Sequence, residues 1–232
     1  MTIEEIKNEL KKQATVLKTV ASNSTNSIGE SWIGKVGWQK ANETQPVDSK
    51  GNLMTPLATL FIEPSKYIPD QISKFKLITI YMSEDIWDNL IEIDLKDYFE
   101  IRTYDDLNNL VKCDYISDKI KPLPLTVSQI DNDYPFWDNG GIPKNLFDII
   151  FEMEQNNNIS YFDDIFENNA ATHKLGGYPS FCQSGYWFKN GYDYVMQISS
   201  DQKADFNIVD CGNFYFYYNK ECNDWKVYCD FY

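Results

Sequence analysis

His173-Lys174-Leu175-Gly176-Gly177-Tyr178-Pro179-Ser180-Phe181-Cys182-Gln183 is the stretch on which the reading of this chain turns. It holds the only histidine of the protein, a Gly-Gly pair, an aromatic residue ahead of a proline, and a glutamine. Tyr178-Pro179 fixes an extended backbone, because the proline ring excludes the α region for the residue before it. Acidic segments with helical spacing lie upstream, and aromatic, strand-like segments lie downstream. The stretch therefore reads as a turn that opens a β unit, with His173 and Gln183 as its unexplained polar residues.

Working outward, 193–199, 213–218 and 225–232 read as strands, the last two joined by a turn at 219–224. Upstream, the apolar runs 56–62 and 75–81 read as two more strands, separated by a connection punctuated by Pro64 and Pro69. Residues 98–104 and 124–130 also read as strands, with Pro124 tolerated at a first strand position. Residues 105–110 read as a short Asp-capped helix and 131–143 as a loop. Residues 145–154 and 160–167 read as helices separated by the polar run 155–158. At the start, Ile3, Ile6, Leu10, Ala14, Leu17 and Ala21 recur at helical spacing, which predicts one amphipathic helix over 2–21. Thr2 and Glu5 have the spacing of a capping box, and a polar loop, 21–27, ends the helix.

The chain has 232 residues, 43% hydrophobic and 16% aromatic, which predicts a folded single domain leaning toward β structure. A net charge of −14 disfavours direct binding to nucleic acid and favours a basic partner. The acidic N-terminus lacks the basic start of a secretory signal, and no apolar run approaches the ~20 residues that span a bilayer. Five cysteines without a C-x-x-C pair read as reduced thiols in a cytoplasmic protein. A Cys222–Cys229 bridge across the terminal hairpin is the lesser alternative.

The two halves share an order of parts. Ile33-Gly34-Lys35-Val36-Gly37-Trp38 precedes strands at 57–62 and 77–81, and Leu175-Gly176-Gly177-Tyr178-Pro179 precedes strands at 195–199 and 214–218. Thr59 to Thr79 and Gln197 to Tyr217 are equally spaced. This predicts an α+β fold of duplicated antiparallel β units, about 28–130 and 170–232, packed with an N-terminal helix and joined by a helical segment. At these residues the chain resembles the YwqG-like family of bacterial proteins of unknown function. The resemblance rests on Ser31-x-x-Gly34, Asp48-x-x-Gly51-Asn52 and Pro56-Leu57, then on His173 to Pro179 with Gln183, Met196-Gln197-Ile198, and Asp210 to Phe216. The first half departs from the family pattern. Lys35 and Val36 interrupt its glycines, Trp38 stands where proline is usual, and its strand glutamine is replaced near Thr59-Leu60. The resemblance implies a duplicated β fold and carries no activity or cofactor with it. The resemblance also implies an association with secreted toxins, as a candidate immunity protein.

Each chemical motif has a plain alternative. Gly176-Gly177 has the backbone of an anion cradle, but neither a Lys-Ser/Thr nor a helix start follows, so a structural turn fits better. His173 and Cys182 have the residue types of a base and nucleophile; a histidine bonded to a carbonyl or to a carboxylate such as Asp163 or Asp164 is the simpler reading. Asp131-Asn132-Asp133 and Asp138-Asn139-Gly140 carry calcium-type ligands, but Pro135 and the missing closing glutamate break an EF-hand loop. No catalytic set, metal site or cofactor site emerges. The leading expectation is a non-enzymatic acidic domain that binds a basic protein such as a toxin. Trp137, Asp138, Tyr178, Phe181, Tyr186 and Trp187 are its candidate contacts. The other expectation is a small-molecule or sugar-binding protein, or a hydrolase, using a cleft between the halves lined by His173, Gln183 and Gln197. Gly176 and Gly177 complete the candidate binding residues.

Overall fold

The computed structural model describes residues 1–21, 24–62, 66–157 and 159–232. Part of the polar loop after Ala21, Pro64, and the end of the polar run at 155–158 lie outside the described residues. In chain order the elements are α1 (Ile3–Leu10), β1 (Lys12–Thr19), β2 (Ser31–Ile33), β3 (Lys35–Lys40), β4 (Thr55–Phe61), β5 (Leu77–Met82), β6 (Phe99–Tyr104), β7 (Leu110–Ile116) and β8 (Leu123–Asp133). Then come α2 (Lys144–Asn157), one π-helical turn (Tyr161–Ile165), β9 (Lys174–Gly176), β10 (Asp193–Ser199), β11 (Asn213–Asn219) and β12 (Asp224–Asp230). Among the described residues, no helix is long and apolar enough to cross a membrane.

Ten strands form one antiparallel sheet in the order β12-β11-β10-β9-β1-β8-β2-β4-β5-β6, and β3 pairs with β7 in a separate ribbon. The ends of the sheet meet. Leu95, just before β6, donates its backbone N–H to Val227 of β12 at 2.7 Å, and the Phe99 ring packs on Phe214 and Phe216. The enclosed core draws Leu57, Ile78 and Ile80 from one end and Val195, Phe214 and Phe216 from the other. The result is a mostly β molecule with few helices, so the α+β expectation holds only in this coarser form.

Several expected elements differ. The helix expected over 2–21 stops at Leu10. Its capping box is present, but Lys11 adopts extended angles, and residues 12–19 continue as β1. Ala14, Thr15, Val16 and Leu17 are all buried, since β1 lies at the sheet centre between β8 and β9. A strand covered on both faces loses its period-2 signal, and the apolar residues of β1 fall at helical spacing from those of α1. The helix expected at 105–110 is a turn, with Asp106 accepting from the Asn108 N–H at 2.7 Å, and it leads into the unexpected strand β7. The helix expected at 160–167 shrinks to the π turn. The Gly-Gly stretch begins as strand β9, and the loop expected at 131–143 starts inside β8. All five cysteines are free, with Cys222 exposed and Cys229 buried, so the terminal hairpin is not bridged.

The sheet order reads alike from both ends. From the central β1–β8 pair, a three-residue strand (β9 or β2) is followed by a three-strand meander on either side. Both meanders carry an irregularity early in their first pair, between Pro56 and Ala58 and between Tyr194 and Met196. Through their separate pairings with β10 and β4, Lys174-Leu175-Gly176 and Trp32-Ile33-Gly34 hold equivalent positions in the two halves, and Gly34 and Gly176 share a left-handed φ of 71° and 73°. Thr59 pairs with Thr79, whereas Gln197 pairs with Tyr215 and not Tyr217, so the equal spacing seen in the sequence does not carry over to the register. In one half the β3–β7 ribbon brings Val36 against Tyr81 of β5. In the other, an aromatic coil including Phe181, Trp187 and Phe188 covers Tyr215 and Tyr217 of β11.

Candidate binding site

The residue that organises the 173–183 stretch is Asp133, at the end of β8. It is fully buried beside the equally buried Lys174. Lys174 Nζ donates to its carboxylate at 3.0 and 3.3 Å, and Ala170 and Tyr178 donate backbone N–H groups at 2.8 and 2.7 Å. Burial lowers the Lys174 ammonium pKa to about 8 against the pull of Asp133. Gly177 follows from this arrangement. Its φ is +66°, and a Cβ there would fall 2.2 Å from Asp133 Oδ2. A Cβ on Gly176 would strike the Tyr67 ring at 2.4 Å. The glycines thus admit a carboxylate and an aromatic ring of this same chain. Tyr178 is buried and its hydroxyl donates to the Leu10 carbonyl at 2.7 Å, closing the C-terminal end of α1. The calcium-type run is engaged as well: Asp131 accepts from Gln13 and Gln129, and Asn132 donates to Glu167.

His173 is buried and both ring nitrogens are occupied. Nδ1 accepts the Ser199 N–H at 3.0 Å, which places the proton on Nε2, 3.3 Å from Asp201 Oδ2. The carboxylate partner is therefore Asp201, not Asp163 or Asp164. Bonds from His173 and Thr19 hold the Asp201 carboxyl well below the usual range. The opposite half repeats the arrangement: Ser31 Oγ accepts the Phe61 N–H at 2.9 Å. Gln197 repeats Thr59 in the same way. Gln197 Oε1 accepts the Ser180 N–H at 2.9 Å, and Thr59 Oγ1 accepts the Gly37 N–H at 3.4 Å. The Gln197 amide nitrogen donates to Thr172 O and Ser199 Oγ. Gln183 is exposed and donates to Phe231 O at 2.8 Å. These three side chains fasten separate pieces of backbone and do not converge on one space.

Both His173 nitrogens are engaged elsewhere, so His173 does not act as a base on Cys182. Burial and the Asp230 carboxylate push the Cys182 thiol up to about 12, so it stays protonated and weakly nucleophilic at neutral pH. Cys182 lies between two cavities that share Phe136, Cys182 and Tyr232 in their walls, one of about 780 Å³ and one of about 480 Å³. Trp137, Asp138, Phe181 and Gln183 line the smaller one. Both lie beside the β10–β12 half, and not between the halves. Trp187 donates its indole N–H to Asn139 O at 2.6 Å and packs on Phe181, and Tyr186 is partly exposed beside Phe188.

A further feature went unread in the sequence. A satellite core (Ile6, Leu10, Tyr134, Leu146, Ile150, Tyr161, Ile165) seats α1, α2 and the π turn on one another. An aromatic strip runs from Phe151 through Phe147, Trp137 and the buried Tyr161 to Phe162, with ring centroids 4.5–6.4 Å apart. Phe151 and Phe162 are 51% and 53% exposed. Residues 134–167 carry seven acidic side chains and one lysine, a net −6 of the chain's −14. Asp138, Asp148, Glu152 and Asp163 are exposed. The signal was available: Phe147 and Phe151 are four apart on a helix whose buried stripe is Leu146 and Ile150.

The chain belongs to the DUF1963 family, a domain of unknown function, whose model matches residues 36–223. No curated protein matches the chain.

Proposed function

We propose that this chain is a non-enzymatic acidic binding domain whose 134–167 face receives a basic protein. The observation that carries the reading is the pair of half-exposed rings, Phe151 and Phe162, at the two ends of the aromatic strip, set among exposed carboxylates over the satellite core. Aromatic side chains anchor interfaces, and a single-sign field around them speeds encounter with the opposite charge and rejects acidic partners. Trp137 and Asp138 belong to this surface, while Tyr178 supports it from beneath. The occupied nitrogens of His173 and the protonated Cys182 thiol support a binding role over a catalytic one.

The finer reading is an immunity-type inhibitor in a bacterial cytoplasm, akin to the YwqG-like proteins, with its sheet built by duplication. The repeated Ser31–Phe61 and His173–Ser199 bonds support the duplication. The test is a low-salt pull-down from the source cells with wild type and with Phe151→Ser/Phe162→Ser/Glu152→Lys. Basic proteins recovered by wild type and lost by the variant are expected. The inhibitor reading further expects that the chain neutralises a toxic product of a neighbouring gene. Recovery of the same proteins by both forms, or of no basic protein, overturns the proposal.

A further inference from the structure

The larger cavity, of about 780 Å³, has a chemistry of its own, independent of the acidic face. None of its lining residues is Lys, Arg or His, and Asp205 is its one carboxylate. Phosphate and carboxylate ligands would meet no compensating charge there. A single exposed aspartate is also a weak cation site in water.

What the cavity does offer is fixed, neutral hydrogen-bonding capacity beside aromatic surface. Asn213 is 5% exposed. Its amide nitrogen donates inward to Ser180 O at 3.1 Å and Tyr215 Oη at 3.0 Å, while its Oδ1 has no partner among the described residues. Ser199 is 3% exposed, and its Oγ accepts from Gln197 Nε2 at 3.2 Å, leaving its own proton for a guest. The Gln202 side chain is exposed and makes no bond among the described residues. Phe136 and the 74% exposed Tyr232 supply ring faces. Strands β10 and β11 hold Ser199 and Asn213 rigidly, so little ordering is needed on binding.

We infer that this cavity is a binding site for a compact neutral polyhydroxy molecule of monosaccharide size. Its C–H face stacks on Tyr232 or Phe136, and its hydroxyls bond Asn213 Oδ1, Ser199 Oγ and Gln202. The lining supplies one carboxyl side chain, where the usual glycosidase arrangement has two about 5–9.5 Å apart across the bond, so the site is assigned binding alone.

The experiment is saturation-transfer NMR on the full chain with glucose, galactose, mannose and N-acetylglucosamine, each alone, with inorganic phosphate added as the control in the alkylation arm. Alkylation of Cys211, which is exposed on the same cavity wall, by N-ethylmaleimide is followed in parallel. At least one sugar is expected to receive saturation and to slow Cys211 alkylation. Gln202→Ala and Tyr232→Ala, both exposed and outside the core, are expected to weaken that binding about tenfold while leaving circular dichroism unchanged. Absence of transfer to every sugar, protection of Cys211 by phosphate instead, or unchanged binding in both variants overturns the inference.

Discussion

Removing one partner of the Asp133–Lys174 pair tests the buried framework most sharply. Both side chains are fully buried, so Lys174→Met leaves an uncompensated carboxylate in the sheet. That carboxylate keeps the N–H groups of Ala170 and Tyr178 at 2.8 and 2.7 Å, which sets the loss at the low end for a broken buried pair, about 3 kcal/mol. In a chain of this size that lowers Tm by about 6–12 °C. Asp133→Asn is expected to cost more, about 4 kcal/mol, because it strands the ammonium on Asn169 and puts amide hydrogens against backbone donors. The double variant removes both charges and is expected to cost less than the sum of the singles, by about 2 kcal/mol. The pH dependence has a definite sign. The Lys174 pKa in the fold, about 8, is below that of an unfolded lysine, so the native chain binds fewer protons there. Its contribution is present in full above the unfolded pKa and is lost as pH falls toward 8. Wild type should therefore gain stability relative to Lys174→Met between those limits. Urea unfolding of the four proteins across pH is the assay. A Lys174→Met cost under about 1 kcal/mol, or strict additivity of the two changes, refutes the reasoning.

Four other substitutions follow from local geometry. His173→Ala leaves the Ser199 N–H unpaired and removes one of the two side-chain donors to Asp201 Oδ2, which keeps Thr19, and should cost about 2 kcal/mol in urea unfolding while leaving partner binding unchanged. Gly177→Ala drives a Cβ into a carboxylate already held by three groups and should cost more than 2 kcal/mol, whereas Gly51→Ala, also at positive φ but in open space, should cost about 1 kcal/mol. The Asp201 carboxyl is depressed, so its stabilisation is present above the unfolded aspartate pKa of about 3.9 and lost as pH falls below it; Asp201→Asn should flatten that part of the acid unfolding curve.

The meanders were legible because Phe214–Tyr218 and Leu77–Tyr81 are apolar runs bounded by turn residues. β1 was not, because central strands buried on both faces lose alternation, and Ala14, Leu17 and Ala21 happen to continue the helical spacing of Ile3, Ile6 and Leu10. The role of His173 was hidden for another reason. Its counterpart is Ser31, a different residue type doing the same job through a single acceptor atom, and only the register relates the two. Lys174 and Asp133 are 41 residues apart, and nothing local marks either as buried. Gly176-Gly177 reads as a structural turn, but sequence shows only that a side chain is missing there and not that Asp133 and Tyr67 fill the space.

The central claim is that residues 134–167 receive a basic protein, and calorimetric titration of the recovered partner against wild type and Phe151→Ser/Phe162→Ser/Glu152→Lys tests it directly. The claim expects an affinity loss of about a hundredfold or more, from two aromatic anchors and a reversed charge, with wild-type binding weakening as salt rises and unfolding curves of the two proteins superimposing. Equal affinity of the two folded proteins for that partner contradicts it.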